Sequence, residues 1–464
     1  MRYSAFIVSL MLLSPAAHAQ LQQEPGNNEA VIQTHQLDNG LKILVLENHR
    51  APVVVSQVWY KVGSSYEYDG ITGVSHALEH MMFKGTEDYS AGQFSEIIAA
   101  NGGSENAFTG KDYTAYFQRI ASDRLELCLK LEADRMRNLV LNEDEFKKEI
   151  EVIKEERRMR TDDNPTSLTY ERFNAVAYLN SSYHQPIIGW MEDLNTMTLD
   201  DLSQWYKTWY APNNATLVVA GDVKASTVFE LAEKYFGDFE SSKIPVVKSR
   251  IEVEQQGERR IKIKAPAKVP YLMMGYKVPV LKTVNEPWEV YALEVLAGIL
   301  DGGNSSRITR NLVRGKEIAS QAGAGYDLYN RQDSLFLLDG TPAAKSSMQQ
   351  LESALIKEIK KLQKNKPDSD ELERVKAQVM SASVYEQDSM FYQAMQLGIL
   401  ETVNLGWQKK SDYLKNIQAV TAEQVQAVAK KYLVEEKLTV AVLEPLPLET
   451  KKSNSKAKGV RHVH

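Results

Sequence analysis

Two histidines and a glutamate lie close together in the first part of the chain, where residues 76–80 read His-Ala-Leu-Glu-His. A Gly-Val-Ser segment at 73–75 starts a helical pattern there. Residues three and four apart share one helix face, so His76 and His80 can reach one ion with Glu79 beside them. The order H-x-x-E-H reverses the common zinc-peptidase motif and predicts metal-assisted hydrolysis with Glu79 as the base. The alternative is a pair of surface histidines bonded to neighbouring residues.

A catalytic zinc ion takes three protein ligands and keeps one position open for water, so a third ligand must come from elsewhere. The remaining histidines are isolated or lie near the two ends of the chain: His18, His35, His49, His184, His462 and His464. The acidic helical segment 143–160 is a better source. It contains six glutamates: Glu143, Glu145, Glu149, Glu151, Glu155 and Glu156.

Helical phase separates these glutamates. The buried stripe of this helix is defined by Phe146, Ile150 and Ile153. At roughly 100° per residue, Glu155 points away from that stripe into solvent. Glu149 and Glu156 align two turns apart on its flank, which favours Glu156 as the third ligand and Glu149 as a carboxylate that orients a ligand. The alternative is that both are surface carboxylates of a charged helix.

Alternating and helical patterns predict the elements that position these residues. Strand patterns cover residues 41–45, 53–62 and 106–120, and helical patterns cover residues 73–83, 91–101, 122–139 and 143–160. The metal-binding segments therefore belong to two helices that flank a strand-rich region.

The second half of the chain repeats features of the first. Thr198 starts a helix followed by a β-rich strand, and Thr421 does the same 223 residues later. Asp201 and Gln424, each three residues after its threonine, complete capping-box patterns. An earlier echo pairs residues 76–80 with residues 291–295, which read Tyr-Ala-Leu-Glu-Val. We expect two α+β domains of like fold, of which only the first has the histidines.

These patterns divide the chain into six parts. Residues 1–19 have the charge, short apolar run and Ala-His-Ala cleavage site of a secretory signal peptide, which predicts a Gram-negative periplasmic location. The remaining parts are a flexible lead-in (20–34), the zinc-bearing domain (35–240), a linker (241–257), a homologous domain without the zinc motif (258–446) and a basic disordered tail (447–464).

Composition excludes several classes of protein. The 464 residues carry a net charge of −6, which argues against nucleic acid as a partner. No segment after the signal approaches the roughly 20 apolar residues of a membrane span. Cys128, the single cysteine, lies in a helical apolar pattern and is interpreted as buried and inert.

Several segments resemble the pitrilysin family of inverted-zincin peptidases, which includes insulin-degrading enzyme and the mitochondrial processing peptidase. The likeness begins in segment 39–86, which contains the histidine motif, and includes the Glu-Ile-Glu-Val-Ile-Lys-Glu-Glu run at 149–156. Residues 106–112 are similar to the segment that enters the family's substrate-binding edge strand, and residues 300–307 to a turn of its second domain. The resemblance covers residues 35–445, nearly all of the chain that follows the signal.

The resemblance implies a zinc endopeptidase of unfolded peptides or small flexible proteins. Each chain would hold one zinc ion on His76, His80 and Glu156, and the two domains, each an antiparallel sheet covered by helices, would form half of a clam-shell chamber. The residues implied in substrate binding are Asn106, Ala107, Phe108, Thr109 and Arg314.

One departure from the family pattern concerns the partner. Members that act as pairs carry an arginine followed seven residues later by a tyrosine, and here Arg314 is followed by Gln321. We therefore expect a homologous partner subunit that supplies an Arg/Tyr pair, with a heterodimer favoured over a homodimer. The alternative function is a non-catalytic zinc-containing scaffold or a peptide-binding subunit of such an assembly.

Overall fold

The computed structural model describes residues 32–248 and 250–448. The predicted signal peptide lies outside these residues, as do most of the lead-in and the tail from residue 449. The strands are β1 (Ile32–Gln36), β2 (Lys42–Glu47), β3 (Val53–Tyr60), β4 (Ser104–Thr109), β5 (Thr114–Ala121), β6 (Ala215–Gly221), β7 (Arg259–Pro266), β8 (Tyr271–Val278), β9 (Ala319–Gly325), β10 (Ser334–Pro342) and β11 (Leu438–Leu446).

The helices cover both sheets and connect their strands. They are α1 (Val74–Met81), α2 (Gln93–Ala100), α3 (Leu125–Arg137), α4 (Glu143–Arg157), α5 (Pro165–Ala177), α6 (Met191–Thr196), α7 (Leu199–Trp209), α8 (Ala225–Phe236), α9 (Trp288–Asp301), α10 (Met348–Lys364), α11 (Ser369–Gln387), α12 (Met390–Thr402), α13 (Lys409–Ala419) and α14 (Ala422–Tyr432). In the part of the chain that the structure describes, no helix combines the length and the apolarity needed to cross a membrane.

The two sheets share a five-strand topology, to which the first sheet adds β1 as a sixth strand. The first runs β1-β2-β6-β3-β5-β4 and the second runs β7-β11-β8-β10-β9. Each has one parallel pair, β2 with β6 and β7 with β11, and its other pairs are antiparallel. The predicted α+β class is confirmed, with sheets that are mixed rather than wholly antiparallel. The parallel strands β6 and β11 come last in each half, each after a helix that begins with a complete capping box at Thr198 or Thr421.

Burial explains why β6 reads as an unbroken apolar run. All seven of its residues are buried, because the strand is central and both faces of the sheet are covered. One face packs against the core that includes Val74 and Leu78 of α1. Cys128 of α3 belongs to the same core, and burial raises the pKa of its thiol to about 12, as expected for an inert cysteine.

Each half of the chain covers a face of the other half's sheet with one helix. Helix α5, from the first half, packs through Phe173 and Ala177 against β11 and its neighbours in the second sheet. Helix α12, from the second half, packs through Ala394 and Leu397 on the first sheet. Gly398 lies so close to Trp59 that an added Cβ would be 2.0 Å from the indole, so only glycine fits this contact.

The structure corrects three boundaries. Strand β1 begins at Ile32, before residue 35 where the domain was expected to start, because its polar residues pair with β2 at a sheet edge without apolar alternation. The predicted strand 106–120 is two strands, since the chain reverses through residues 110–113. Helix α4 ends at Arg157 and continues as a π-helical turn, Arg158–Asp162, rather than as α-helix to residue 160.

Candidate metal centre

The start of α1 is fixed by a buried carboxylate. Glu67 accepts hydrogen bonds from the backbone N–H groups of Gly73 (2.7 Å) and Ser75 (2.9 Å), which have no partner within the helix. Gly73 has φ +88°, and a Cβ there would lie 2.6 Å from the carbonyl oxygen of Ile188. Burial raises the pKa of Glu67 to about 7. This cap sets the position from which the two histidines project.

His76, His80 and Glu156 converge, with one donor atom of each lying within 4.8 Å of the others. Oε2 of Glu156 is 3.7 Å from Nε2 of His76 and 3.4 Å from Nε2 of His80. The imidazole centroids are 4.7 Å apart. Burial lowers the pKa of His76 to about 3, so this ring is neutral and able to act as a ligand at neutral pH.

The residues around this triad suit a zinc ion. Two imidazole nitrogens and one carboxylate oxygen are a common catalytic set, and the side of the triad that faces the cavity is open for water. Nδ1 of His80 donates to the carboxylate oxygen Oε1 of Glu149 (2.8 Å), which directs Nε2 towards Glu156. Among the described residues, Nδ1 of His76 has no hydrogen-bond partner.

Two cations hold the carboxylates of α4. Lys84 Nζ lies 2.5 Å from Glu149 Oε2, and Arg160 Nη1 lies 2.6 Å from Glu156 Oε1. Burial alone would raise the pKa of Glu149, but its bonds to His80 and Lys84 outweigh burial and lower that pKa. Arg160 reaches Glu156 from the π-helical turn, and it leaves Oε2 of Glu156 directed at the histidines. Neither cation was identified from the sequence.

Glu79 faces the same space without joining the triad. Thr109, the last residue of β4, donates a hydrogen bond from its hydroxyl to Glu79 Oε2. Burial raises the pKa of Glu79, and the Thr109 bond partly opposes this. The other carboxyl oxygen of Glu79, Oε1, is left to exchange a proton. Thr109, predicted to contact substrate, therefore also contacts the predicted base.

An open cavity of about 570 Å³ lies over these groups. Ten residues line it: His76, Glu79, His80, Asn106, Ala107, Val152, Glu155, Glu156, Met159 and Arg160. Asn106 and Ala107 belong to β4, which is one of the two edge strands of the first sheet. Phe108 instead packs edge-on against Trp59, with ring centroids 5.4 Å apart, so its side chain belongs to the packing under the strand.

Arg314 lies elsewhere. It belongs to a π-helical turn, Thr309–Gly315, and bonds Asn304 at 2.8 Å. No ion pair or hydrogen bond of residues 32–248 and 250–448 joins it to the histidine cluster. Gln321 is exposed on β9, an edge strand of the second sheet, opposite Thr341. The structure therefore brings together the predicted metal and base residues and places the Arg314 region in the other half of the chain.

Comparison with known proteins decides the family. The family model described as "Insulinase (Peptidase family M16)" matches residues 42–189, and the one described as "Peptidase M16 inactive domain" matches residues 196–379. This chain belongs to peptidase family M16. His76, Glu79, His80 and Glu156 of this M16 chain all lie in the first match. The inactive-domain match contains none of these four residues, and it includes α9, where Tyr291 and Val295 occupy the histidine positions of the repeat.

Relatives of this M16 chain are named as zinc proteases. It is 32% identical over 446 residues to the zinc protease PqqE of Helicobacter pylori, covering 94% of this chain and 97% of that protein. It is 29% identical over 416 residues to the uncharacterized zinc protease YmxG of Bacillus subtilis, covering 89% and 98%. A solved protease structure from Helicobacter pylori matches with a TM-score of 0.85 and 30% identity, covering 90% of this chain and 100% of that one.

Proposed function

We propose that this chain is a zinc endopeptidase that cleaves extended peptides, with zinc held by His76, His80 and Glu156. The observation that carries the proposal is the convergence of the three donor atoms beside Glu79, at the floor of an open cavity. Bound zinc would supply Lewis acidity that activates water and polarises a carbonyl. Glu79 then accepts a proton from the attacking water at Oε1 and passes it to the leaving amine. The hydroxyl of Thr109 donates to Oε2 of Glu79 meanwhile.

The edge strand β4 supports an extended substrate. A peptide that adds to a sheet edge is recognised by its backbone, so unfolded segments are preferred over compact proteins. We infer that Asn106 and Ala107 line the path of this peptide. The predicted signal peptide supports secretion into a Gram-negative periplasm, where a homologous subunit would complete the chamber.

The base is tested with Glu79→Gln. We expect this variant to keep its zinc, because Glu79 is not a ligand, and to cleave a panel of unstructured peptides about 10²–10⁴-fold more slowly. Metal analysis and turnover are measured on the same preparations, with any co-purifying partner present. Wild-type rates in Glu79→Gln, or loss of its zinc, would contradict the assignment. A fully zinc-loaded wild type that binds peptides without cutting them would favour the scaffold function instead.

A further inference from the structure

Two equivalent connections of the two sheets meet each other. The turn between β4 and β5, residues 110–113, belongs to the first sheet, and the loop between β9 and β10, residues 326–333, belongs to the second. These strand pairs occupy the same positions in the common topology. The contact therefore joins the edge strand beside the triad to the half of the chain that has no triad.

Arg331 makes the main contact between these connections. Its backbone N–H donates to Oδ2 of Asp112 (3.1 Å) and its Nε donates to Oδ1 (3.1 Å). Its Nη2 donates to the hydroxyl of Ser65 (2.7 Å), and its guanidinium lies 4.2 Å from the ring centroid of Tyr66. The Asp112 residue is 3% exposed and the Arg331 side chain 13%, so water competes little for these bonds.

The β4–β5 turn is also held from within the first half. The backbone N–H of Ser65 donates to the carbonyl of Lys111 (2.8 Å), and the Ser65 hydroxyl donates to Asp112 Oδ1 (2.7 Å). Tyr183 donates its hydroxyl to Oδ2 of Asp112. The second half contributes Arg331, which bonds Asp112 directly, and Gln332, whose backbone N–H donates to the hydroxyl of Tyr183 (3.2 Å).

Two short stretches of chain lead from this network to Glu79. Thr109, which donates to Glu79, comes three residues before Asp112. Glu67, which caps α1, comes two residues after Ser65. Arg331 thus contacts both segments that fix Glu79, one through β4 and one through the start of its own helix.

We propose that Arg331 is a positioning residue for Glu79. It touches neither the triad nor the cavity lining, and it acts by holding the β4–β5 turn and the Ser65 segment in register. The inference rests on the proposed peptidase function. Because a shift of about 1 Å at a reacting group can lower a rate about 10²-fold, a loosened turn is expected to affect kcat.

The test compares four variants of the full chain. Arg331→Ala should lower kcat about 10–100-fold with KM changed less than about threefold, and zinc content should stay at the wild-type level. Arg331→Lys keeps the positive charge without the planar guanidinium, so its kcat should fall less than that of Arg331→Ala. Thr109→Val removes the bond to Glu79 directly. Lys42→Met is the matched control, because Lys42 joins the two halves through Glu401 (2.6 Å) from β2, far across the first sheet.

Two further measurements separate positioning from general loosening. The rate loss of Thr109→Val combined with Arg331→Ala should be smaller than the product of the two single losses, since the two substitutions share the route through β4. Hydrogen exchange should quicken in residues 104–113 of Arg331→Ala and remain unchanged there in Lys42→Met.

The outcomes distinguish this inference from the proposed function. Absence of wild-type turnover, with any partner present, overturns the proposed function and the inference with it. Wild-type turnover that Glu79→Gln abolishes, together with unchanged kcat in both Arg331 variants, overturns the inference alone. Fully additive effects of the Thr109 and Arg331 substitutions, or unchanged exchange at the turn, also overturn it.

Discussion

Adjacent glutamates of α4 have opposite environments. The Glu156 side chain is 14% exposed, and its oxygens are divided between Arg160 and the histidines. The Glu155 side chain is 59% exposed and pairs with Arg158 at the cavity rim. One residue of helix rotates a side chain by roughly 100°, which is enough to exchange a ligand position for a solvent position. The two residues therefore form a natural pair for testing the third ligand.

Glu156→Gln should lower zinc affinity at least about 100-fold, because a neutral amide replaces a charged ligand and Arg160 loses its partner. Glu155→Gln should leave zinc affinity and turnover within about twofold, since it removes only an exposed pair. Competition with a chelator of known affinity measures both variants against wild type. Equal losses, or a larger loss from Glu155→Gln, would show that the triad is assigned to the wrong carboxylate.

At the scale of elements, the position of α1 depends on a carboxylate outside the helix. Glu67 is 2% exposed, and each of its oxygens accepts one backbone N–H at the helix start. Burial raises its pKa from 4.5 to about 7 despite these bonds. A carboxyl whose folded pKa is raised stabilises the fold at low pH, and that contribution is lost as the pH rises through the folded value.

Glu67→Gln should therefore change how stability varies with pH. Relative to the variant, the zinc-free wild type should lose on the order of 3 kcal/mol of unfolding free energy between pH 4.5 and pH 8, because its pKa lies at about 7 when folded. Urea unfolding of both proteins at several pH values measures this. Glu96→Gln, at an exposed site on α2, is the control, and its free energy of unfolding should change with pH as that of wild type does. A stability difference that does not change with pH, or a wild type that gains stability relative to the variant as the pH rises, would contradict the prediction.

Local patterns predicted much of this architecture. Helical phase separated Glu155 from Glu156, and both capping boxes form as their sequences indicate, because each depends on residues within four positions. The cap at Glu67, the Arg160 contact and the exchange of α5 and α12 depend on tertiary packing, which periodicity does not show. The turn at residues 110–113 was missed because the alternating pattern continues through it from β4 into β5.

At the scale of the molecule, the two halves are joined in ways that make them one unit. Helices α5 and α12 each cover the other half's sheet, and the Asp112–Arg331 pair connects equivalent loops. The duplication gives the second half its own edge strand, β9, in the position that β4 has in the first. Among the described residues, the cluster of His76, His80 and Glu156 lies beside β4 and has no counterpart beside β9.

Gln321 on β9 is the residue on which the expectation of a different partner subunit depends. The family resemblance expects a tyrosine there, seven residues after Arg314, to help hold a substrate carbonyl. A glutamine amide can donate a hydrogen bond, but it is shorter than a phenol and would not reach the same oxygen. A homodimer would then have an incomplete Arg/Tyr pair at both sites, whereas a homologous subunit with both residues would complete one chamber.

We predict that the chain purified alone, fully loaded with zinc, turns over unstructured peptides weakly and gains activity when a second secreted M16 chain carrying the Arg/Tyr pair is added. Gln321→Tyr should raise the turnover of the chain alone about tenfold, because one added hydrogen bond to a developing charge is worth about 1.4 kcal/mol or more. Turnover should not rise in Gln321→Phe, the control, which supplies the ring without the hydroxyl.

The site is exposed on an edge strand, so either ring fits without disturbing the core. Turnover, zinc content and the mass of the assembly in solution are measured on each preparation. Robust turnover by a wild-type homodimer, unchanged in Gln321→Tyr, would show that the chain completes its own site and needs no different partner.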